Sequence, residues 1–172
     1  MRTTVLYGEH DLLIDEKNRV SIPSEIRKSL DPERDGDKFF LVIGVNQRLW
    51  LYPDRAYETL VSKLASEMSP GDDMLDFDQM NFSMADRQKW DEQGRMPIPP
   101  KIVRRAGLGK EVTLIGVRDH LELWDRAEWE AHSQELITRR AEIAKRAKQA
   151  RQATAPPAQQ PDDGRADGER NT

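Results

Sequence analysis

Residues Asp15-Glu16-Lys17-Asn18-Arg19-Val20-Ser21-Ile22-Pro23 are matched 76 positions later by Asp91-Glu92-Gln93-Gly94-Arg95-Met96-Pro97-Ile98-Pro99. Both stretches follow the skeleton Asp-Glu-x-x-Arg-x-x-Ile-Pro. The match continues at the same offset and then resumes at an offset of 72, where Gly44-Val45 corresponds to Gly116-Val117. The four extra residues of the first copy fall in the loop 31–37, and loops tolerate insertions. The sequence therefore indicates a tandem duplication.

Each copy is predicted to form a strand, a tight turn, a strand, a short helix and two further strands. Gly94 supplies a left-handed residue to the second turn at low steric cost, and Asn18, the next most tolerant residue type, takes that place in the first. Pro23 is placed to begin the helix. The later strands are predicted from apolar runs at Phe39–Ile43, Leu49–Tyr52, Val112–Ile115 and Leu121–Trp124.

A unit of about 45 residues is near the lower limit for burying its own core. The two copies are therefore expected to share one core. Such an internal pseudo-dimer leaves room for further self-association.

Helices are expected around the second copy. Asp54 can cap one whose apolar positions are Tyr57, Leu60, Val61, Leu64 and Met68, and Ser69–Asp73 should break it. A second short helix would carry Met74, Phe77, Met80 and Met84, a stripe interpreted as core filler because methionine fills irregular gaps. Asp125-Arg126-Ala127-Glu128 reads as a capping box that opens a long helix.

The predicted organisation has five parts. They are a first unit over 8–55, a helical linker over 56–84, a second unit over 85–128, a basic C-terminal helix over 129–152 and a disordered tail over 153–172. The tail prediction rests on a composition rich in Pro, Gln, Asp and Gly.

Composition excludes several classes of function. The 172 residues include 27 Lys and Arg against 31 Asp and Glu, a net charge of -4, so nucleic-acid binding would need a local basic surface. No cysteine is present, which excludes disulfides, thiolate metal ligands and a cysteine nucleophile. His10, His120 and His132 are too dispersed for a metal site, and no cofactor or small-molecule substrate is expected. With no signal peptide or membrane span in the sequence, a cytoplasmic protein is expected.

Basic residues occupy matched places in the two copies. Lys17 and Arg19 lie on the first turn with Arg27-Lys28 on the helix after it, while Arg95 lies on the second turn with Arg104-Arg105 after it. One interpretation is a nucleic-acid-binding surface. The other is structural: Arg19 pairs with Asp15 across its own turn, and basic residues at a helix end only favour the helix dipole.

The repeated skeleton resembles the AbrB-type swapped-hairpin DNA-binding domains. Two copies about 76 residues apart resemble the MraZ family of bacterial transcriptional regulators, as do Leu49-Trp50-Leu51-Tyr52-Pro53, Ala106-Gly107-Leu108 and Leu121-Glu122-Leu123-Trp124-Asp125. The resemblance covers roughly residues 5 to 135. It implies an α+β fold in which two AbrB-like hairpin units form a pseudo-symmetric double-split β-barrel, with flanking helices and a long C-terminal helix.

The resemblance also implies a function. The chain would bind double-stranded DNA as a ring-shaped homo-oligomer on repeated promoter elements, commonly of its own cell-division and cell-wall operon, and would be associated with the nucleoid. The implied DNA contacts are Lys17, Arg19 and Arg95, with Arg27 and Lys28 matching basic positions of single-unit AbrB-like domains. Asn18 departs from the motif glycine, and Pro97 removes a backbone donor from its strand, which suggests an edge position.

Two alternatives remain open. An antitoxin-like protein–protein module of the same swapped-hairpin class would use the arginine turns only as structure. An enzyme is not expected, because the best carboxylate pairs, Asp15-Glu16 and Asp91-Glu92, are typical turn formers and no nucleophile triad or phosphate-binding loop is present.

Overall fold

The computed structural model describes residues 4–67 and 72–154. The chain divides into two compact units, one ending at His132 and one beginning at Ser133. Its strands are β1 Glu9–Leu13, β2 Arg19–Ser21, β3 Phe39–Ile43, β4 Leu49–Pro53, β5 Asp86–Gln88, β6 Arg95–Pro97, β7 Glu111–Gly116 and β8 Leu121–Asp125. Its helices are α1 Ser24–Ser29, α2 Asp54–Glu67, α3 Asp72–Phe82, α4 Pro100–Arg105, α5 Arg126–Thr138 and α6 Arg140–Thr154.

The two sequence copies exchange their first strands. In the six-stranded antiparallel sheet, with order β1-β7-β8-β4-β3-β5, β1 of the first copy pairs with β7 of the second. In the reverse sense, β5 of the second copy pairs with β3 of the first. The hairpins β3–β4 and β7–β8 meet through β4 and β8. Neither copy therefore completes its sheet without the other.

The remaining strands, β2 and β6, form a separate two-stranded ribbon. Its ladder extends by the bonds from Ile22 N–H to the Gly94 carbonyl and from Ile98 N–H to the Asn18 carbonyl, and it ends at Pro23 and Pro99. Both strands of the ribbon are edges, as expected for the strand that holds Pro97. The α+β class is confirmed. Among the described strands the sheet is open and no closed barrel forms, so the double-split barrel is not confirmed.

One core joins the ribbon to the inner face of the sheet. Its fully buried side chains come from both copies, which confirms the expected shared core. The ribbon contributes Val20 and Met96, each with no exposed surface, and the short helices contribute Ile26 and Ile102. Burial of these side chains fixes which face of the ribbon points outward.

The outer face of the sheet carries a buried polar cluster. His120 lies 2.8 Å from a carboxylate oxygen of Asp119 and 3.2 Å from one of Glu122. The other oxygen of Glu122 accepts a hydrogen bond from the Trp124 indole at 2.7 Å. The imidazole also stacks on Tyr52, with the ring centroids 4.9 Å apart.

The helical linker differs from its prediction in two respects. Helix α3 ends at Phe82, so Met84 lies beyond it. Phe77 and Met80 are 36% and 46% exposed, so the interpretation of this stripe as core filler is wrong. Met74 and Met84 are half-buried. Met68 and most of the predicted break at Ser69–Asp73 lie outside the described residues.

The predicted single C-terminal helix is two helices, α5 and α6, interrupted at Arg139. Helical hydrogen bonds continue across the interruption, from Arg139 N–H to the Glu135 carbonyl and from Ile143 N–H to the Arg139 carbonyl. The Thr138 hydroxyl donates to the Gln134 carbonyl at 2.9 Å, a contact that bends helices. The interruption is therefore confined to one residue.

At its N-terminus, α5 is capped by Asp125, whose carboxylate accepts the Ala127 N–H at 3.1 Å. Glu128 pairs with Arg48. The predicted tail begins two residues too early, because Ala153 and Thr154 are helical, and the rest of it lies outside the described residues. Among the residues that the structure describes, no helix is both long and apolar enough to cross a membrane.

Candidate nucleic-acid interface

The first motif turn is organised by one carboxylate. An oxygen of Asp15 accepts the backbone N–H groups of Lys17 and Arg19, both at 2.9 Å. The other oxygen accepts Nε of Arg19 at 2.8 Å and lies 2.8 Å from a terminal guanidinium nitrogen. Asn18 closes the turn in the left-handed region at φ 53°. The structural interpretation, in which Arg19 pairs with Asp15, is therefore correct as a description of the turn.

The second turn repeats this arrangement. Asp91 accepts the backbone N–H groups of Gln93 at 2.9 Å and Arg95 at 3.0 Å, and its second oxygen accepts Nε of Arg95 at 2.9 Å. Gly94 takes the left-handed position at φ 80°. Two segments that are distant in sequence thus form the same arrangement, in which an aspartate of the turn holds the arginine four residues after it.

These contacts also keep both aspartates ionised. The Arg19 guanidinium, together with the turn's N–H groups, holds the pKa of Asp15 below its usual range. The backbone N–H of Arg95, followed by its guanidinium, does the same for the pKa of Asp91. Each arginine is therefore held by a full negative charge, which restricts its orientation.

The ribbon brings the two arginines to one surface. Arg19 lies opposite Pro97, and Arg95 lies opposite Ser21. The two arginines are thus diagonal neighbours, about 7–8 Å apart. They lie on the face opposite the buried Val20 and Met96. Their side chains are 26% and 35% exposed, so neither is sealed inside the molecule.

Arg27 reaches across from one copy to the other. Its Nε donates to the Ile22 carbonyl at 3.0 Å, and its guanidinium lies where a side chain on Gly94 would stand. At the equivalent place in the other half, Val103 and Asn18 line one surface depression. The half with glycine thus faces the large arginine, and the half with asparagine faces a valine. The guanidinium leaves room only for glycine at position 94, whereas the residue that corresponds to Arg27 in the other half is Val103, which leaves room for Asn18.

The remaining predicted residues lie on the exposed flanks. Lys17 is exposed on the first turn and Lys28 on α1, and neither forms an ion pair with a described residue. Sequence reasoning did not single out Lys101, which α4 presents with Arg104 and Arg105 around the buried Ile102. The helical spacing of these three cations about one buried isoleucine is the signal that could have found it.

Positive charge is unevenly distributed over this surface. The tip residues Glu16 and Glu92 are exposed and acidic, so the turns themselves are not basic. Helix α1 has a net charge of +1 and α4 of +3. The two halves therefore share a backbone arrangement but present different charge. Among the described residues, no cluster of three or more histidine or acidic side chains could hold a metal ion.

Comparison with known proteins decides the family. The sequence matches the MraZ protein family, described as antitoxin-like, over residues 5–78 and again over 81–151. The chain belongs to the MraZ family. Each matched stretch contains one sequence copy and the helices that follow it. The family match therefore occurs twice in the chain, in agreement with the tandem duplication that the repeat indicated.

Several curated MraZ relatives cover most of the chain. The transcriptional regulator MraZ of Acetivibrio thermocellus is 36% identical over 129 residues, which are 75% of this chain and 87% of the relative. Those of Clostridium tetani and Finegoldia magna are 33% and 34% identical, over 73% and 70% of this chain and 85% and 80% of the relatives.

Proposed function

We propose that this MraZ chain is a transcriptional regulator that binds duplex DNA through the β2–β6 ribbon. The observation that carries the proposal is the pair of aspartate-held arginines on one outward face of a two-stranded ribbon. The major groove is wide enough to admit such a ribbon. The names of the relatives, transcriptional regulators, support the same conclusion.

Each aspartate leaves its arginine partly free to bind. Asp15 occupies Nε and one terminal nitrogen of Arg19, so the donors on the far edge of the guanidinium remain available. That edge can contact guanine O6 and N7. Because the side chain is already held in place, less rotamer entropy is lost on binding. The ion pair and the DNA contact are therefore compatible roles of one residue.

The flanking cations would contact phosphates. In the first half these phosphate contacts would come from Lys17, Arg27 and Lys28. In the second half they would come from the cations of α4. Each phosphate neutralised adds about 0.9 to the slope of log affinity against log salt on duplex DNA. Because the two halves differ in charge, one orientation of the chain on a site should be favoured. Directly repeated elements suit such an oriented protein better than a palindrome does.

We further propose that several chains assemble as a ring-shaped homo-oligomer on repeated promoter elements of the protein's own cell-division and cell-wall operon, in the cytoplasm at the nucleoid. A double-split barrel formed by the two interleaved hairpin units belongs to the same proposal. A single ribbon buries little surface, and linked copies on linked elements gain affinity through effective concentration.

The test compares arginine variants by gel-shift titration on the region upstream of the protein's own gene. Arg19→Ala and Arg95→Ala should each weaken binding about 5- to 150-fold per contact, the equivalent of about 1–3 kcal/mol. Arg19→Lys keeps the charge but loses the fork and should also be defective. Arg118→Ala, which removes an 82% exposed arginine on the β7–β8 hairpin, is the matched control.

A sizing column run beside the titration shows whether assembly is intact. Arg19→Ala should elute with the wild type. Wild-type affinity in Arg19→Ala and Arg95→Ala would overturn the proposed surface. DNase footprinting on the same region should show protection of several regularly spaced elements.

The antitoxin-like description of the family favours a second candidate, a protein–protein interaction module. In that case the arginine turns serve only the fold. A retained partner protein in a pull-down, with no affinity for promoter DNA at low salt, would support this candidate against the first.

A further inference from the structure

Helix α6 carries a concentrated positive charge that the ribbon does not use. Its 15 residues include five basic residues and one acidic residue, a net charge of +4. None of its residues is buried. A polar helix without buried side chains gains little from packing, so its charge pattern calls for another explanation.

The cations of this region fall into two groups. Arg139 pairs with Glu135 at 2.9 Å and lies 3.4 Å from Glu142, and Arg146 pairs with Glu142 at 2.6 Å. The other four cations form no ion pair with any residue that the structure describes; they are Arg140, Lys145, Lys148 and Arg151.

The two groups occupy opposite sides of the helix. At about 100° per residue, the four unpaired cations fall within an arc of about 140°, and the paired arginines with Glu142 lie across from it. From Arg140 to Arg151 the arc extends about 16 Å along the axis. Duplex DNA presents a phosphate about every 3.4 Å on each strand, so this face can follow several phosphates.

The apolar content of α6 argues against a membrane surface. Its only large apolar residue is Ile143, and the other apolar positions are alanines. Helices that lie in a bilayer interface bury Leu, Phe or Trp along one face. Cations without an apolar face are typical of electrostatic contact with a polyanion.

We propose that α6 is a second DNA-binding element, which contacts the phosphate backbone of duplex DNA without reading its sequence. This inference rests on the proposed function in taking duplex DNA as the ligand. The ribbon supplies sequence discrimination, and α6 adds affinity for any duplex long enough to reach it.

The test measures the salt dependence of binding by the full chain. One variant replaces the four unpaired cations with glutamine, as Arg140→Gln, Lys145→Gln, Lys148→Gln and Arg151→Gln together. The control replaces the paired side, as Arg139→Gln, Glu142→Gln and Arg146→Gln. Circular dichroism verifies that both keep their helix, which glutamine favours. Each protein is titrated with a promoter duplex and with a scrambled duplex of equal length.

The four-cation variant should lose up to about 3.6 from the salt slope on both duplexes. Between 50 and 200 mM salt, wild-type affinity should then fall up to about 150-fold more than that of the variant. The ratio of promoter to scrambled affinity should not change, and the control variant should keep a slope close to that of the wild type.

Three results would overturn the inference, and they are distinguishable. A wild-type slope in the four-cation variant, with promoter binding intact, refutes α6 as a DNA element and leaves the proposed function standing. Absence of binding by the wild type to either duplex refutes both. Loss of binding to vesicles of phosphatidylglycerol by the same variant, with an unchanged DNA slope, would identify a membrane element instead.

Discussion

Replacement of Gly94 by alanine tests how the two halves of the ribbon support each other. Gly94 has φ 80°, and a Cβ atom built on it would stand 2.6 Å from Nε of Arg27 and 2.7 Å from Cζ. Alanine therefore imposes two costs. One is the left-handed backbone, and the other is displacement of Arg27 from its hydrogen bond to the Ile22 carbonyl.

The magnitudes of the two costs can be separated. A residue other than glycine in the left-handed region costs about 1–2 kcal/mol. Loss of a partly exposed hydrogen bond of this kind adds about 1 kcal/mol. The free energy of unfolding should fall by about 2–3 kcal/mol, and the Tm by about 4–12 °C for a chain of this size.

The assay is urea unfolding of Gly94→Ala in the wild-type and Arg27→Val backgrounds. Without the arginine, the substitution should cost only the backbone term of about 1–2 kcal/mol. Gly107→Ala is the matched control, because Gly107 has φ 63° with no atom within 4 Å of an added Cβ. Equal costs of Gly94→Ala in both backgrounds, or a cost no greater than that of Gly107→Ala, would refute the contact between the halves.

Two further predictions concern the buried interior. Burial alone would lower the pKa of His120, but hydrogen bonds to Glu122 and Asp119 raise it above 6.5, so its charged form stabilises the fold fully below pH 6.5. The free energy of unfolding should therefore decline as pH rises through that raised pKa. Urea titrations between pH 6 and 9 should show this decline in the wild type and not in His120→Gln. The same decline in the variant would contradict the assignment to His120. Met96→Ala should reduce the free energy of unfolding by about 2–5 kcal/mol, because Met96 fills the core beneath the ribbon with no exposed surface. A Met96→Ala protein that unfolds at the wild-type Tm would contradict this packing.

Much of the fold could be predicted because the relevant signals are local. The motif turns, the short helices after Pro23 and Pro99, and the later apolar strands all follow from patterns within a few residues. The exchange of β1 and β5 between the copies does not, because a strand's alternation is the same whichever strand it pairs with. Duplication predicts a shared core but not which strands cross over.

The candidate site was predictable by residue type but not by detail. The sequence suggested both an aspartate partner and a binding role for Arg19, and it could not decide between them because one guanidinium has enough donors for both. The expectation of a basic surface from Lys17, Arg19 and Arg95 on the turns left out the opposing negative charge of the exposed Glu16 and Glu92. The larger charge lies on α4, where Lys101 stands at a position that is Glu25 in the other copy.

The differences between the halves are complementary rather than random. Arg27 lies against Gly94, and at the corresponding place of the other half Val103 and Asn18 line one surface depression. A symmetric dimer of the first copy would set Arg27 against Asn18 twice, where the asparagine side chain occupies the space that the guanidinium needs. A symmetric dimer of the second copy would set Val103 beside Gly94 twice and leave both places underfilled. The mixed pair sets the guanidinium against the one motif turn that has no side chain at that position, and joining the copies in one chain ensures that this pairing forms.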